Sequence, residues 1–232
     1  MILAAAILLF QTGCASTAQM TNHTASTDFS LDPIALQNEG IGFLTPVSAT
    51  GQEADRVGLA IAFADQIAAE RTDLHVVRLA EVLSAVNQAG LSVAYKTMVE
   101  DYQATGILEK DTLRQVGEVS GARYLGLLGL ARFTQSTNKR LGIAGFRLID
   151  TKIANLRLSW QIWDSETGVI CWEGSDEVSY AYETGRERPV NFAFVTEQAA
   201  INLIADFPSA TEIPAENPAV ANLSVAGLAA TH

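Results

Sequence analysis

The apolar positions of this chain change period several times between residues 40 and 207, and each change marks an element. Residues 40–47 (Gly-Ile-Gly-Phe-Leu-Thr-Pro-Val) read as a short strand. Over 52–71, Leu59, Ala60, Phe63 and Ile67 recur at helical spacing and share one face. Residues 75–78 make a short β-branched strand. A helix striped with Leu79, Val82, Leu83 and Val86 follows, and Gly90 ends it. Another helix, over 91–106, carries Tyr95, Met98, Val99 and Tyr102 and stops at Gly106. Asp111 reads as the N-cap of the next helix, because its carboxylate can accept the free amides of a first turn. Leu113, Val116 and Ser120 line one side of that helix.

Residues 124–131 (Tyr-Leu-Gly-Leu-Leu-Gly-Leu-Ala) are apolar or tiny on both faces, the mark of a central strand buried on both sides. Gly126 and Gly129 fall inside that strand, and no Gly-Lys-Ser/Thr follows them. They read as sites of close packing rather than as a phosphate loop. Ala154, Leu156, Leu158, Trp160 and Ile162 then alternate with polar residues, as in a half-buried antiparallel strand. Residues 165–168 (Ser-Glu-Thr-Gly) form the turn. The return strand puts Ile170, Trp172, Val178 and Tyr180 on the core face, and Cys171, Glu173, Ser175, Glu177 and Ser179 on the other. Pro189 opens a last helix containing Ala193, Val195, Ala199 and Leu203, with Phe207 at its end. The expected fold class is a single α/β (α+β) domain over 36–207. It has a mixed sheet, a long antiparallel hairpin and helices packed on it. Residues 208–232 are expected to be a disordered tail.

Ahead of the domain, residues 2–10 are one apolar run that breaks into Gln11-Thr12-Gly13-Cys14-Ala15-Ser16. The run is too short for a span of the ~30 Å bilayer core, which takes about 20 residues. It fits the apolar region of an export signal. A small residue followed by cysteine is a lipoprotein processing site, so 1–13 reads as a signal peptide and Cys14 as the lipidated first residue of the mature chain. Gln11 stands where leucine is usual, and the first basic residue is Arg56. Plain secretion, or a buried segment with an incidental cysteine, are the other readings. The small polar residues that follow make 14–35 a flexible tether. No aspartate follows the cysteine, which favours the periplasmic face of the outer membrane.

Composition narrows the chemistry. The formal net charge is −11, a poor match for nucleic acid, which needs lysine and arginine against its phosphates. There are 2 cysteines and 3 histidines, and of the histidines only His75 lies in the expected domain. That scarcity argues against a His/Cys zinc site and a histidine- or cysteine-based nucleophilic centre; no metal is expected, and no spacing singles out a carboxylate pair among the 26 Asp and Glu. No cofactor is expected. With Cys14 lipidated, Cys171 has no intrachain partner and reads as an inert buried thiol, although the alternation puts it on the polar face.

Two stretches resemble a known group. Gly121-Ala122-Arg123-Tyr124-Leu125-Gly126 is similar to the strand-opening motif of the CsgG-like and LpoB-like bacterial lipoproteins. Asp164-Ser165-Glu166-Thr167-Gly168, with Trp172 just beyond, is similar to that group's hairpin turn. The resemblance spans roughly 40–207 and implies a fold like the N-terminal domain of TolB. It also implies a lipid-anchored periplasmic protein that is not an enzyme. Some members of the group form ring-shaped curli secretion channels; others reach across the periplasm to activate peptidoglycan synthases. A channel needs membrane hairpins with an apolar outward face. The two insertion positions, 134–152 and 181–189, are too polar or too short for that.

The expected function is therefore partner binding by a regulator or adaptor of envelope assembly, such as peptidoglycan synthesis. A curli-type oligomeric channel is the alternative, and a periplasmic enzyme is the third reading. The partner is expected to be another envelope protein, and a homo-oligomer is compatible with the sequence. The candidate docking residues are basic: Lys139, Arg140 and Arg147 in one loop, with Arg186 and Arg188 in another.

Overall fold

Strand β5 (Tyr124–Lys139) is the axis of the fold, because its side chains enter two different cores. Tyr124, Leu128 and Leu130 enter one, while Leu125 and Leu127 enter the other. The computed structural model describes residues 19–48, 53–139, 150–183 and 192–209. β1 (Gln19–Asp28), β2 (Ile41–Phe43), β3 (Val47–Ser48), β4 (Val76–Val77), β6 (Asp150–Asp164) and β7 (Val169–Glu183) join β5 in one mixed sheet of order β1-β7-β6-β5-β2-β4. β3 also pairs with β5, parallel to it. The β1-β7-β6-β5 side is antiparallel, and the β5-β2-β4 side is parallel.

Helices lie on both faces. α1 (Pro33–Glu39), α2 (Glu53–Glu70) and α6 (Phe192–Ala205) cover the first face. There Leu36, Phe63, Ile67, Val195 and Leu203 pack around Trp160 and Trp172. The two indoles meet edge to face at 5.2 Å, on the shared core side that the alternation predicts. α3 (Leu79–Gln88), α4 (Ser92–Thr105) and α5 (Lys110–Ser120) cover the second face. Their contacts are Val82, Val86, Tyr95, Met98, Leu113 and Val116, packed on Leu125, Leu127 and Trp163. This layer reaches only the start of β5 and the end of β6. Farther along, Arg157, Ser159, Ser175 and Glu177 leave the second face open to solvent.

Four expectations are corrected. The tether read over 14–35 is structured from Gln19. β1 pairs with β7 along all of its length, and α1 follows, capped by the Asp32 carboxylate on the amides of Ile34 and Ala35 at 2.9 and 3.1 Å. Every residue of β1 except Thr24 is exposed, so the strand has no apolar period to betray it. Backbone pairing at a sheet edge holds it instead.

Lys139, expected in a loop, is the last residue of a strand. β5 runs to Lys139 and β6 starts at Asp150, with those two residues in register. α5 is capped by Glu109 rather than Asp111. Both Glu109 carboxylate oxygens are used, one on the Asp111 amide at 2.8 Å and the other on Thr112 at 2.7 Å. Finally, Cys171 lies in the core and not on the polar face. Ile162 pairs with Trp172 and Trp163 with Ile170, so Cys171 is the extra residue of a bulge. The bulge sends Cys171 and Trp172 into the first core and Ile170 against the second.

Candidate functional site

The two motifs that carry the family resemblance meet in space. Gly121 ends α5 in the left-handed conformation, φ 71°, and turns the chain so that Arg123 sits at the mouth of β5. β6 ends there too, with Asp164 opposite Tyr124 in the ladder. Arg123 Nε donates to Asp164 Oδ1 at 3.2 Å and Nη2 to Oδ2 at 3.0 Å, a bidentate pair. Nη1 donates to Glu39 Oε1 at 3.0 Å, and Glu166 lies 3.4 Å from Nε. The Asp164 carboxylate also accepts the Glu166 amide at 3.0 Å.

Burial pushes the Asp164 carboxyl up. The Arg123 hydrogen bonds and the Glu166 amide pull it down, and the result lies below the usual carboxylate range. The Asp164 hydrogen bond in turn raises the Arg123 guanidinium. A cleft of about 400 Å³ opens beside this group, between α5 and the turn at 165–168. Each guanidinium nitrogen has an acceptor, so the cluster is a clasp that joins α1, the entry to β5 and the end of β6.

Of the predicted docking residues, Lys139 alone is among the described ones, at the other end of the sheet. Lys139 closes β5. Arg140, Arg147, Arg186 and Arg188, like Cys14 and Pro189, lie outside the described residues. Their flanks are placed, however. Lys139 pairs with Asp150, Thr151 with Glu183, and Gln19 with Ala181. The strand ends bordering both basic segments and the strand that follows Cys14 therefore share one end of the sheet. Sequence spacing gives no sign of this, because β1 and β7 stand far apart in the chain.

Two further groups escaped sequence reasoning. Asp176 is 1% exposed on the core face, where Thr24 Oγ1 donates to it at 2.8 Å and Asn202 Nδ2 at 2.9 Å. Burial raises its carboxyl, and the two hydrogen bonds offset only part of that. The second group is on the open face, where Gln161 Oε1 accepts the Tyr102 hydroxyl at 2.8 Å and the Trp163 indole N–H at 3.3 Å. His75 is exposed, and its carbonyl accepts the Ile41 amide at 2.9 Å, a backbone role. Among the described residues, no three His, Cys, Asp or Glu side chains gather as a metal site. No described helix is long and apolar enough to cross a membrane.

The architecture is a single α/β domain built on a mixed sheet. No protein-family profile matches the chain, and no curated protein matches its sequence. Chains of several solved structures align with it. A PelC dodecamer from Paraburkholderia phytofirmans is 9% identical, with 80% of this chain and 96% of that one covered at a TM-score of 0.45. Lipoprotein GNA1162 from Neisseria meningitidis is 16% identical, with 72% and 99% covered and a TM-score of 0.45. The C-terminal domain of LpoB from Salmonella enterica is 15% identical, with 60% and 82% covered and a TM-score of 0.35. Likeness at that level concerns the arrangement of elements, so function is read from this chain's own surfaces.

Proposed function

We propose that this chain is a lipid-anchored protein of the outer-membrane periplasmic face, held against the bilayer through Cys14. Its domain binds another envelope component and catalyses no reaction. The observation that carries this reading is the start of β1. Only residues 15–18 separate Cys14 from Gln19. Fully extended, that stretch spans about 17 Å. A domain tethered so closely stays at the membrane surface and cannot reach far across the periplasm. The reading is therefore an adaptor working beside its own membrane, with the sheet end at Gln19, Lys139 and Glu183 turned toward the bilayer.

A second reading, a subunit of an oligomeric export ring, is favoured by β1 itself. It is an edge strand of 10 residues without proline or lysine, the kind of edge that accepts another strand. Against a membrane-inserted ring stand the described residues of the β5–β6 ribbon tip. Thr134, Gln135, Ser136 and Thr137 are polar on both faces of the ribbon.

The test compares full-length protein with Cys14→Ala in membranes of a two-membrane bacterium. The anchored reading expects the wild type to sediment with membranes, with an N-terminal peptide beginning at lipid-modified Cys14, and the variant to be released. Equal solubility of the two without detergent would sink it. Light scattering of the detergent-extracted protein separates the readings further. A monomer or dimer fits the adaptor, and a large closed ring fits the export subunit.

A further inference from the structure

The open part of the second sheet face carries three parallel rows of side chains, set by register. Gln161, Glu173 and Thr27 form one row across β6, β7 and β1. Gly129, Ser159, Ser175 and Ala25 form the next, across all four antiparallel strands. Arg132, Arg157, Glu177 and His23 form the third. Alternate residues on a strand stand about 7 Å apart and neighbouring strands about 4.8 Å apart. The small middle row is thus the floor of a trough about 14 Å long, with longer side chains on either side. A cleft of about 250 Å³ occupies its Gln161 side. Gly129 keeps the floor low: a Cβ there would come within 2.6 Å of Ser159 Oγ.

Two features of this trough are not explained by folding. Arg132 and Arg157 are directly opposite each other on adjacent strands, both exposed, and among the described residues neither forms an ion pair or side-chain hydrogen bond. Like charges facing each other across a ladder destabilise a sheet. In a chain of net charge −11, the two guanidiniums stand side by side, and Glu177, the other cross-strand neighbour of Arg157, forms no ion pair with it among the described residues. Their forked donors suit a planar carboxylate. The second feature is Gln161. Tyr102 and Trp163 both donate to its carbonyl oxygen, which fixes the amide and turns its two N–H donors away from them. Glu173, its cross-strand partner, supplies acceptors beside it.

We propose that this trough binds a saccharide chain bearing carboxylates. Arg132 and Arg157 receive a carboxylate, while Gln161, Glu173 and the hydroxyls of Ser159, Ser175 and Thr27 receive sugar hydroxyls. The surface itself favours a saccharide over a peptide. The floor offers no apolar pocket for a side-chain anchor, whereas peptide recognition relies on such pockets or on strand addition at an edge. A densely charged polyanion is disfavoured by Glu173 and Glu177 in the same walls.

The experiment is a calorimetric titration of the full-length protein with a short oligogalacturonate. A neutral malto-oligosaccharide of equal length and an oligoglutamate run beside it. The expected result is saturable binding of oligogalacturonate that weakens with added salt and weaker binding of the neutral chain. Arg157→Gln and Arg132→Gln should each reduce affinity about tenfold, the loss of a charged hydrogen-bonded contact. The same variants should unfold at the same or a higher temperature than wild type, because the facing charges are relieved. That separates a lost contact from a lost fold. Three results would each overturn the proposal: no saturable binding, undiminished binding by Arg157→Gln, or oligoglutamate binding as tightly as oligogalacturonate.

Discussion

Arg123 and Asp164 form a two-pronged pair, Nη2 to Oδ2 at 3.0 Å and Nε to Oδ1 at 3.2 Å, that ties the residue leading into β5 to the last residue of β6. The carboxylate is only 10% exposed and the guanidinium 25%, so solvent screens the pair weakly. Arg123→Ala should lower unfolding free energy by about 2–3 kcal/mol, measured by urea denaturation, because it strands the Asp164 charge.

The same pair sets a pH dependence. The Asp164 carboxyl titrates lower in the folded protein than unfolded. Its stabilisation is therefore complete above the unfolded value of about 4 and is lost as pH falls through the folded value. The deficit of Asp164→Asn relative to wild type should be largest at neutral pH and shrink as pH falls below the ordinary aspartate value of about 4. A deficit constant across that range would contradict the assignment.

Asp176 has the opposite sign. Its carboxyl is raised, chiefly by burial, so the folded state carries a cost for its charge. That cost is fully present above the folded value and vanishes below the unfolded one. Asp176→Asn can still accept from Asn202 and donate to the Thr24 hydroxyl, so at pH 8 it should be no less stable than wild type. Asp176→Ala leaves both donors unmatched and should lose about 2 kcal/mol. Thermal melts of the two variants at pH 8 decide between a charge cost and a required charge.

Gly126 lies under the Trp160 indole. A Cβ there would approach Nε1 to 2.9 Å, in a core where Trp160 also touches Trp172 and Phe207. Gly126→Ala should cost about 1–3 kcal/mol and shift tryptophan emission, since the ring has no free space to move into.

Burial pushes the Cys171 thiol up to about 12, and its S–H donates to the Ile162 carbonyl at 3.2 Å. A thiol so protonated is a poor nucleophile. In Cys14→Ala protein, iodoacetamide at pH 8 should label Cys171 only in denaturant. Rapid labelling of the native chain would mean the bulge opens.

The sequence discloses those elements whose burial writes a period into the chain. α2 to α5, the hairpin of β6 and β7 and the doubly buried start of β5 are legible for that reason. β1 is not legible, because its stability comes from backbone pairing and its side chains face water. Nor is the exchange of faces at Cys171 and Ile170, since a bulge adds one residue without changing composition. The Arg123–Asp164 clasp is half legible. Both motifs stand out as residues, but their meeting depends on β5 and β6 being neighbours in register. The trough row is hidden for the same reason: Ser159, Ser175 and Ala25 are unremarkable until three strands align them.

β1 also bears on how the protein is made. Thr24 and Asp176, its bond to β7, are 152 residues apart in sequence. The first described strand to be synthesised therefore has no ladder to join until β7 has followed. The sheet closes over its own N-terminal edge only when nearly the whole domain has been made, so β1 is among the last elements to dock.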